Sequence, residues 1–267
     1  MSVRIREQER DLEDANKMNV GRERTSKAPI QDDLRTKEDR AMDDINRAVE
    51  VAEKAVATTP LDHHDRAVRL NSLGDKLGKR FRQTGAMDDI NRAVEIAEMA
   101  LAATPPDHPD RPAHLDSLGV QLGMRFQQTG AMGDINRAVD VAEKAVSATT
   151  FNHPNRAAWL GSLGMWLGMR FQQTGAMDDI NHAVEVAEIA VAATPPDHPN
   201  RAARLDNLGI TLGRRFGRTG AMNDINRAVE VAEMAVAATP VDHPSRVAYL
   251  NSLGIWLGPW LLRLSAI

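Results

Sequence analysis

Six histidines are the residues of this chain best equipped for metal chemistry: His63, His64, His108, His153, His198 and His243. A zinc site needs three or four ligands converging on one ion. Here the histidines fall one to a connector, two in the first, at a spacing of 45 residues and with no second ligand near in sequence. Helical units stacked at the usual interhelical distance would hold them about 10 Å apart, too far to share an ion. A structural role in the connectors is expected, and no metal. The run Gly74 to Lys79 (GDKLGK) approaches a phosphate-binding loop. It is one residue short, lacks the Ser or Thr that holds magnesium and follows no strand. Asp88, Asp89 and Asn91 resemble the opening of a calcium loop without its glycine and closing glutamate. With no cysteine there is neither a thiol nucleophile nor a disulfide. No Ser/His/Asp set stands apart from the repeating pattern either. The residues give no support for catalysis or for a cofactor.

That pattern is the dominant feature. The phrase AMDDINRAVEVAEKAV starts at Ala41 and returns, lightly varied, at Ala86, Ala131, Ala176 and Ala221, with no insertion or deletion between copies. A fixed period of this size marks a solenoid, in which each unit buries its apolar face against its neighbours. Such a stack makes a long open surface and no enclosed pocket.

Each unit reads as two helices. One carries Ile90, Ala93, Val94, Ala97, Ala100 and Leu101, a single apolar stripe at helical spacing. Asp43, Asp88, Gly133, Asp178 and Asn223 are all acceptable N-caps for it, and the aspartate that follows would favour the positive end of the helix. The other helix carries Leu115, Leu118, Gly119, Leu122 and Phe126. Asp65, Asp110, Asn155, Asn200 and Ser245 are its expected N-caps, which places Pro112 in the first turn where its missing N–H costs nothing. Gly85, Gly130, Gly175 and Gly220 occupy the left-handed position after its end. Two further glycines recur inside it, at 74, 119, 164, 209 and 254 and at 78, 123, 168, 213 and 258. Each costs about 1 kcal/mol relative to alanine, so close approach of a partner backbone is expected in every copy. Arg80, Arg125, Arg170 and Arg215, beside the phenylalanine, are expected to pair with carboxylates of the Asp89 or Glu98 type.

These residues resemble the tetratricopeptide repeat. Leu118 and Gly119 match its first helix, with Leu115 and Leu122 in positions usually held by large aromatics, and Ala93, Ala97, Ala100 and Pro105 match its second. The unit departs in length, 45 residues against a family norm of about 34. Long first helices and an His-Pro connector are similar to kinesin light chain repeats. They are more similar still to tandem arrays in fungal proteins, often joined to CHAT-peptidase or NLR-type nucleotide-binding domains. The resemblance covers residues 41–258. It implies an all-α, right-handed superhelical solenoid of antiparallel hairpins that holds a protein or peptide along its concave face. The alternative it implies is a sensor arm of an NLR-type or CHAT-peptidase protein whose effector domain lies elsewhere.

Residues 1–40 carry ten basic and ten acidic side chains and no aromatic, a composition that buries too little apolar surface to order most of the segment. A frayed helix before Met18 is the most it supports. Residues 259–267, PWLLRLSAI, leave the repeat as a divergent apolar tail that Pro259 is expected to break from the last helix. An apolar end implies docking on another chain or on a second copy, or continuation of the array. Net charge −4 and pI 6.1 lack the basic footprint of nucleic-acid binding. No run of 18 apolar residues spans a membrane, and the lack of cysteine agrees with a cytoplasmic, reducing location.

Binding is expected where the copies differ. One flank of the first helix holds Asn71, Asp116, Asp206 and Asn251 together with Asp75, Val120, Met165, Ile210 and Ile255. In tetratricopeptide proteins this flank corresponds to the concave groove, which makes Asn71, Asp75, Asp116, Val120, Met165, Asp206, Ile210 and Asn251 the peptide-binding candidates. The other flank carries Trp159, Trp166, Tyr249 and Trp256, either a second binding surface or filling between adjacent first helices.

Overall fold

A computed structural model describes residues 39–264, with side chains described as far as Gly258. The readings for residues 1–38 and for the side chains of the C-terminal tail lie outside the described residues. The described residues form ten helices and no strand. Second helices of the repeat are α1 (39–57), α3 (Met87–Ala102), α5 (Met132–Ser147), α7 (Met177–Ala192) and α9 (Met222–Ala237). First helices are α2 (Arg66–Thr84), α4 (Arg111–Thr129), α6 (Arg156–Thr174), α8 (Arg201–Thr219) and α10 (Arg246–Leu264). α2, α4, α6 and α8 each pack most extensively on the second helix that follows, and α4, α6, α8 and α10 pack also on the second helix before them. The result is the predicted all-α solenoid of antiparallel hairpins. Pro259 does not break α10, which continues to Leu264.

The hairpin turn is set by one glycine. Gly85 adopts φ +70° and its N–H donates to the carbonyl of Phe81 at 2.7 Å, and Gly130, Gly175 and Gly220 repeat this geometry. Only two residues then separate the helices, so the second helix starts earlier than its aspartates led one to expect. Its N-caps are Ala86, Ala131, Ala176 and Ala221, in extended conformation. The Ala86 N–H donates back to the Thr84 hydroxyl at 3.1 Å. Asp88 therefore lies inside the helix, and Asp89 at N3 is taken by a different partner. Arg80 grips both oxygens of Asp89, with Nε 2.8 Å from Oδ2 and Nη2 2.5 Å from Oδ1. Arg125–Asp134, Arg170–Asp179 and Arg215–Asp224 repeat the pair. The other expected carboxylate class joins neighbouring units instead: Arg92 reaches Glu53, Arg137 reaches Glu98 and Arg227 reaches Glu188.

The first helix begins at Asp65, Asp110, Asn155 and Asn200, as predicted, but none of these side chains caps it. The connector histidine instead accepts the N–H of the cap residue itself. The Asp110 N–H donates to His108 Nδ1 at 3.1 Å, and His63, His153, His198 and His243 accept the same bond. The arginine at the first helical position closes the connector. Arg156 donates to the carbonyls of Val146 and Thr149 at 2.5 and 2.7 Å, satisfying oxygens left over at the end of α5. Arg66, Arg111, Arg201 and Arg246 do the same.

The two glycine series have different reasons. At Gly74, Gly119, Gly164 and Gly209 an added Cβ would lie 3.4–3.6 Å from a backbone carbonyl of the partner second helix. The partner backbone is in ordinary van der Waals contact and would not by itself exclude a Cβ, contrary to expectation; the tighter neighbours are the valine methyls of Val141 and Val186, 3.3 Å from a Cβ on Gly119 and Gly164. At Gly78, Gly123, Gly168 and Gly213 the neighbour is instead a side chain of the next first helix: Gln121, Trp166, Arg214 and Trp256 respectively. The second glycine is a slot for the following unit.

Candidate functional site

Successive first helices touch one another along the stack. No Cα atoms of the successive second helices α3, α5, α7 and α9 come within 8 Å of each other. Their gap is spanned by the long Arg–Glu pairs. Closer spacing on the first-helix side bends the stack so that first helices line its inner face, which is where the binding candidates were placed.

The aromatic flank is interior. Trp159, Trp166 and Tyr249 are 5%, 2% and 9% exposed, and Trp256 is half-buried. Trp166 lies over Gly119 and Gly123, Trp256 lies over Gly209 and Gly213, and Trp159 stacks on His153 with ring centroids 4.8 Å apart. These rings fill the space between adjacent first helices and offer little surface to a partner.

The polar flank forms a ladder on the inner face. Ser117 donates to Asp75 at 2.8 Å, and Ser162 and Ser252 stand near Asp116 and Asp206 in the corresponding positions. One oxygen each of Asn71, Asp116 and Asp206 is buried without a hydrogen-bond partner. Burial pushes the Asp116 carboxyl above the ordinary range, opposed by the Ser162 hydroxyl and reinforced by the charge of Asp75. Asp206 is raised for the same first reason, and the Ser252 hydroxyl opposes it. Asn251 is exposed, and Val120 is half-buried against apolar residues of two neighbouring units.

Of the candidates, Met165 and Ile210 come together in a cavity. A cleft of about 210 Å³ opens between α6 and α8 with α7 as its floor. Met165, Met169, Ile210, Ala187 and Ala190 give it apolar walls, and Arg204 and Arg214 stand at its sides. It exists because the residue series breaks: where Asn71, Asp116, Asp206 and Asn251 stand in other units, this unit has Gly161. The Arg204 head takes that room, and a Cβ on Gly161 would lie 2.7 Å from Arg204 Nη1. Arg214 lies over Gly168 in the same way. Neither arginine has an ion-pair partner among the described residues, Arg204 Nε is buried without an acceptor, and burial pulls both guanidinium pKa values down. Sequence reasoning missed these two cations. The available signal was the coincidence of Gly161 with arginine at both 204 and 214, which no other unit shows.

Among the described residues one group has metal-ligand types in proximity, His63, His64 and Asp65, although no second ligand was expected beside the histidines. His63 Nδ1 already accepts the Asp65 N–H, and the two rings stack in near-parallel planes with centroids 4.5 Å apart. In-plane lone pairs of parallel rings do not converge on one point, so the geometry serves the connector and not an ion. No described helix is long and apolar enough to cross a membrane.

No family model and no curated protein sequence matches the chain. Solved structures do. The nearly identical TPR-like repeats of a Podosopora anserina protein assigned to the kinesin light chains match at TM-score 0.53 and 23% identity, covering 75% of this chain and 90% of that one. BtubC (BKLC) from P. vanneervenii matches at TM-score 0.57 and 16% identity, covering 84% and 85%. The chain has a TPR-like fold. At these identities the likeness speaks for architecture, and the TPR-like inner face must be read from its own residues.

Proposed function

We propose that this TPR-like chain is a non-enzymatic scaffold that binds a protein or peptide segment along its inner face. The cleft between α6 and α8 is the principal seat. The observation that carries this reading is the pair Arg204 and Arg214. Two partly desolvated cations without counter-ions flank an apolar cleft, and an unpaired buried charge is costly unless something neutralises it. A segment presenting a carboxylate next to an apolar side chain would supply both needs. The carboxylate would accept from the guanidiniums in charge-assisted hydrogen bonds, and the apolar group would lie on Met165, Met169 and Ile210. Asn71, Asp75, Asp116, Asp206 and Asn251 would then contact the rest of an extended segment along the face.

Selection of binders from a random peptide display library tests this. Enriched peptides should carry an acidic residue adjoining an apolar one, and R204Q/R214Q or M165E should remove their binding without lowering the melting temperature. Enrichment of no consensus, or binding indifferent to these variants, would refute the assignment of the cleft.

A further inference from the structure

Two described helices lack the neighbour that every other helix has. In each of the hairpins α2–α3, α4–α5, α6–α7 and α8–α9, a first helix makes its largest contact with the second helix after it. α10 is a first helix and α1 a second helix, and among the described residues neither has that partner. The unpartnered faces are apolar. Leu250 is 46% exposed, whereas its counterparts Leu70, Leu115, Leu160 and Leu205 are at most 4% exposed. Val51 is 58% exposed, whereas Val141, Val186 and Val231 are at most 8% exposed. Ile45, Ala48 and Ala55 are partly uncovered where the same residues are fully buried in α3, α5 and α9. A Cβ on Gly209 would meet Val231 at 3.4 Å and the Ala228 carbonyl at 3.5 Å, but one on Gly254 would meet nothing within 4 Å.

The two faces are halves of an interface the chain already contains four times. Residues 41–56 differ from 221–236 only at Asp43 for Asn223 and Lys54 for Met234, and both of these positions are exposed. On α10, Leu250, Leu253, Gly254 and Leu257 repeat Leu205, Leu208, Gly209 and Leu212 of α8. We infer that α10 of one copy receives α1 of a second copy, so that the two complete a hairpin in trans with Gly254 against Ala48 and Val51. The occupant is a second molecule of this chain, chosen because its α1 reproduces the residues that cover the same surface on α2, α4, α6 and α8. The contact is head-to-tail, so each added copy exposes a fresh α10 face and assembly is open-ended or closes as a ring. It prolongs the nearest-neighbour contacts that already stabilise the solenoid. One element is missing from the joint. The counterpart of Arg215 on α10 is Trp260, so the bidentate bond to Asp44 is not reproduced and the trans hairpin is weaker than an internal one.

Sedimentation velocity and light scattering of the full 267-residue chain across a wide concentration series test the inference. Wild type should grow in mass with concentration. V51E and L250E alter exposed positions at opposite ends, and each should remain monomeric with an unchanged thermal transition. A one-to-one mixture of V51E and L250E should form a dimer and nothing larger, because one intact α10 meets one intact α1. A wild type monomeric throughout, a V51E variant that still dimerises through α10 alone, or a mixture that stays monomeric would each overturn the proposal. If L250E lowers the thermal transition, G254R blocks the same face from a position with open space around it, and its mixture with V51E is read by the same criteria.

Discussion

Replacing Gly123 by alanine adds one methyl group to the middle of α4, and its effect can be worked out from its surroundings. The new Cβ would stand 2.8 Å from Trp166 Cε3 and nearer still to Cζ3 and Cη2. The indole is rigid and only 2% exposed, so it must leave its slot or push α4 and α6 apart. Overpacking of a well-filled core costs about 1–3 kcal/mol, and a rigid ring places this case at the upper end. Alanine recovers about 1 kcal/mol of helix propensity. The net loss is then roughly 2 kcal/mol, or about 4–8 °C in melting temperature for a chain of this size. The partner substitution decides the reasoning. In a W166A background the slot has lost its occupant, and G123A should become favourable by about 1 kcal/mol. Calorimetry and urea denaturation of the four proteins in this cycle give the sign directly. A loss of the same size in both backgrounds would show that the glycine is needed for something other than the ring.

Other substitutions test the remaining contacts. D116N should raise stability at neutral pH, because Asn71 and Asn251 show that an amide fits this position and it removes a carboxylate whose ionisation burial opposes. The sign follows from proton linkage. A carboxyl raised on folding contributes stability in acid, below its ordinary 3.8, and loses it as pH rises through the folded value. The advantage of D116N over wild type should therefore grow from acid toward neutrality in a denaturation series, and a pH-independent difference would refute it. R125M should cost roughly 2 kcal/mol, the worth of a hydrogen bond to a charged group, since it strands the nearly buried Asp134. R125K should recover only part of this, because an ammonium cannot engage both oxygens in the fork geometry of a guanidinium. H182R should add about 0.2–1 kcal/mol and lose that gain in high salt, because position 182 interrupts the Arg–Glu series opposite Glu143 and such exposed pairs are screened.

Periodicity made the architecture legible. An apolar stripe at helical spacing and a glycine before each second helix are local signals, and they give the helices, the hairpin turn and the direction of stacking. Caps were less legible, because several side chains compete for the same backbone groups. Asp88 has the right chemistry for an N-cap, yet the Gly85 turn brings Ala86 into that place and leaves Asp88 within the helix. His108, expected only to have a structural role in the connector, accepts the N–H of Asp110, whose own side chain makes no cap bond. The second glycine series shows the limit most clearly. Gly78, Gly123, Gly168 and Gly213 recur as regularly as the first series, but what each accommodates is a residue 43 or 46 positions later in another unit. A pattern within one unit cannot identify that partner. The cleft was hidden for the same reason, since it depends on Gly161 in one helix and on Arg204 and Arg214 in the next.

The framework and the inner face therefore follow opposite rules. Contacts that recur in every hairpin are satisfied: Arg80 to Asp89, histidine to backbone N–H, arginine to the last carbonyls of the preceding helix. Among the described residues, Arg156 Nε is the one framework atom among the buried polar groups without partners; the others lie where the copies differ, on first helices, at Asn71, Asp116, Gln121, Trp166, Arg204, Asp206 and Trp256. Solenoid stability is a sum over units and their interfaces, so a satisfied framework in each hairpin lets individual units carry unfavourable groups without loss of the whole. The junction of α6 with α8 carries such a burden, two desolvated cations of α8 beside an apolar cleft that Gly161 of α6 helps to line. A ligand that neutralised them would gain at that point what the apo chain lacks. Binding energy should accordingly be localised at α6 and α8, and transplanting Gly161, Arg204 and Arg214 onto positions 116, 159 and 169 should move the binding seat by one unit.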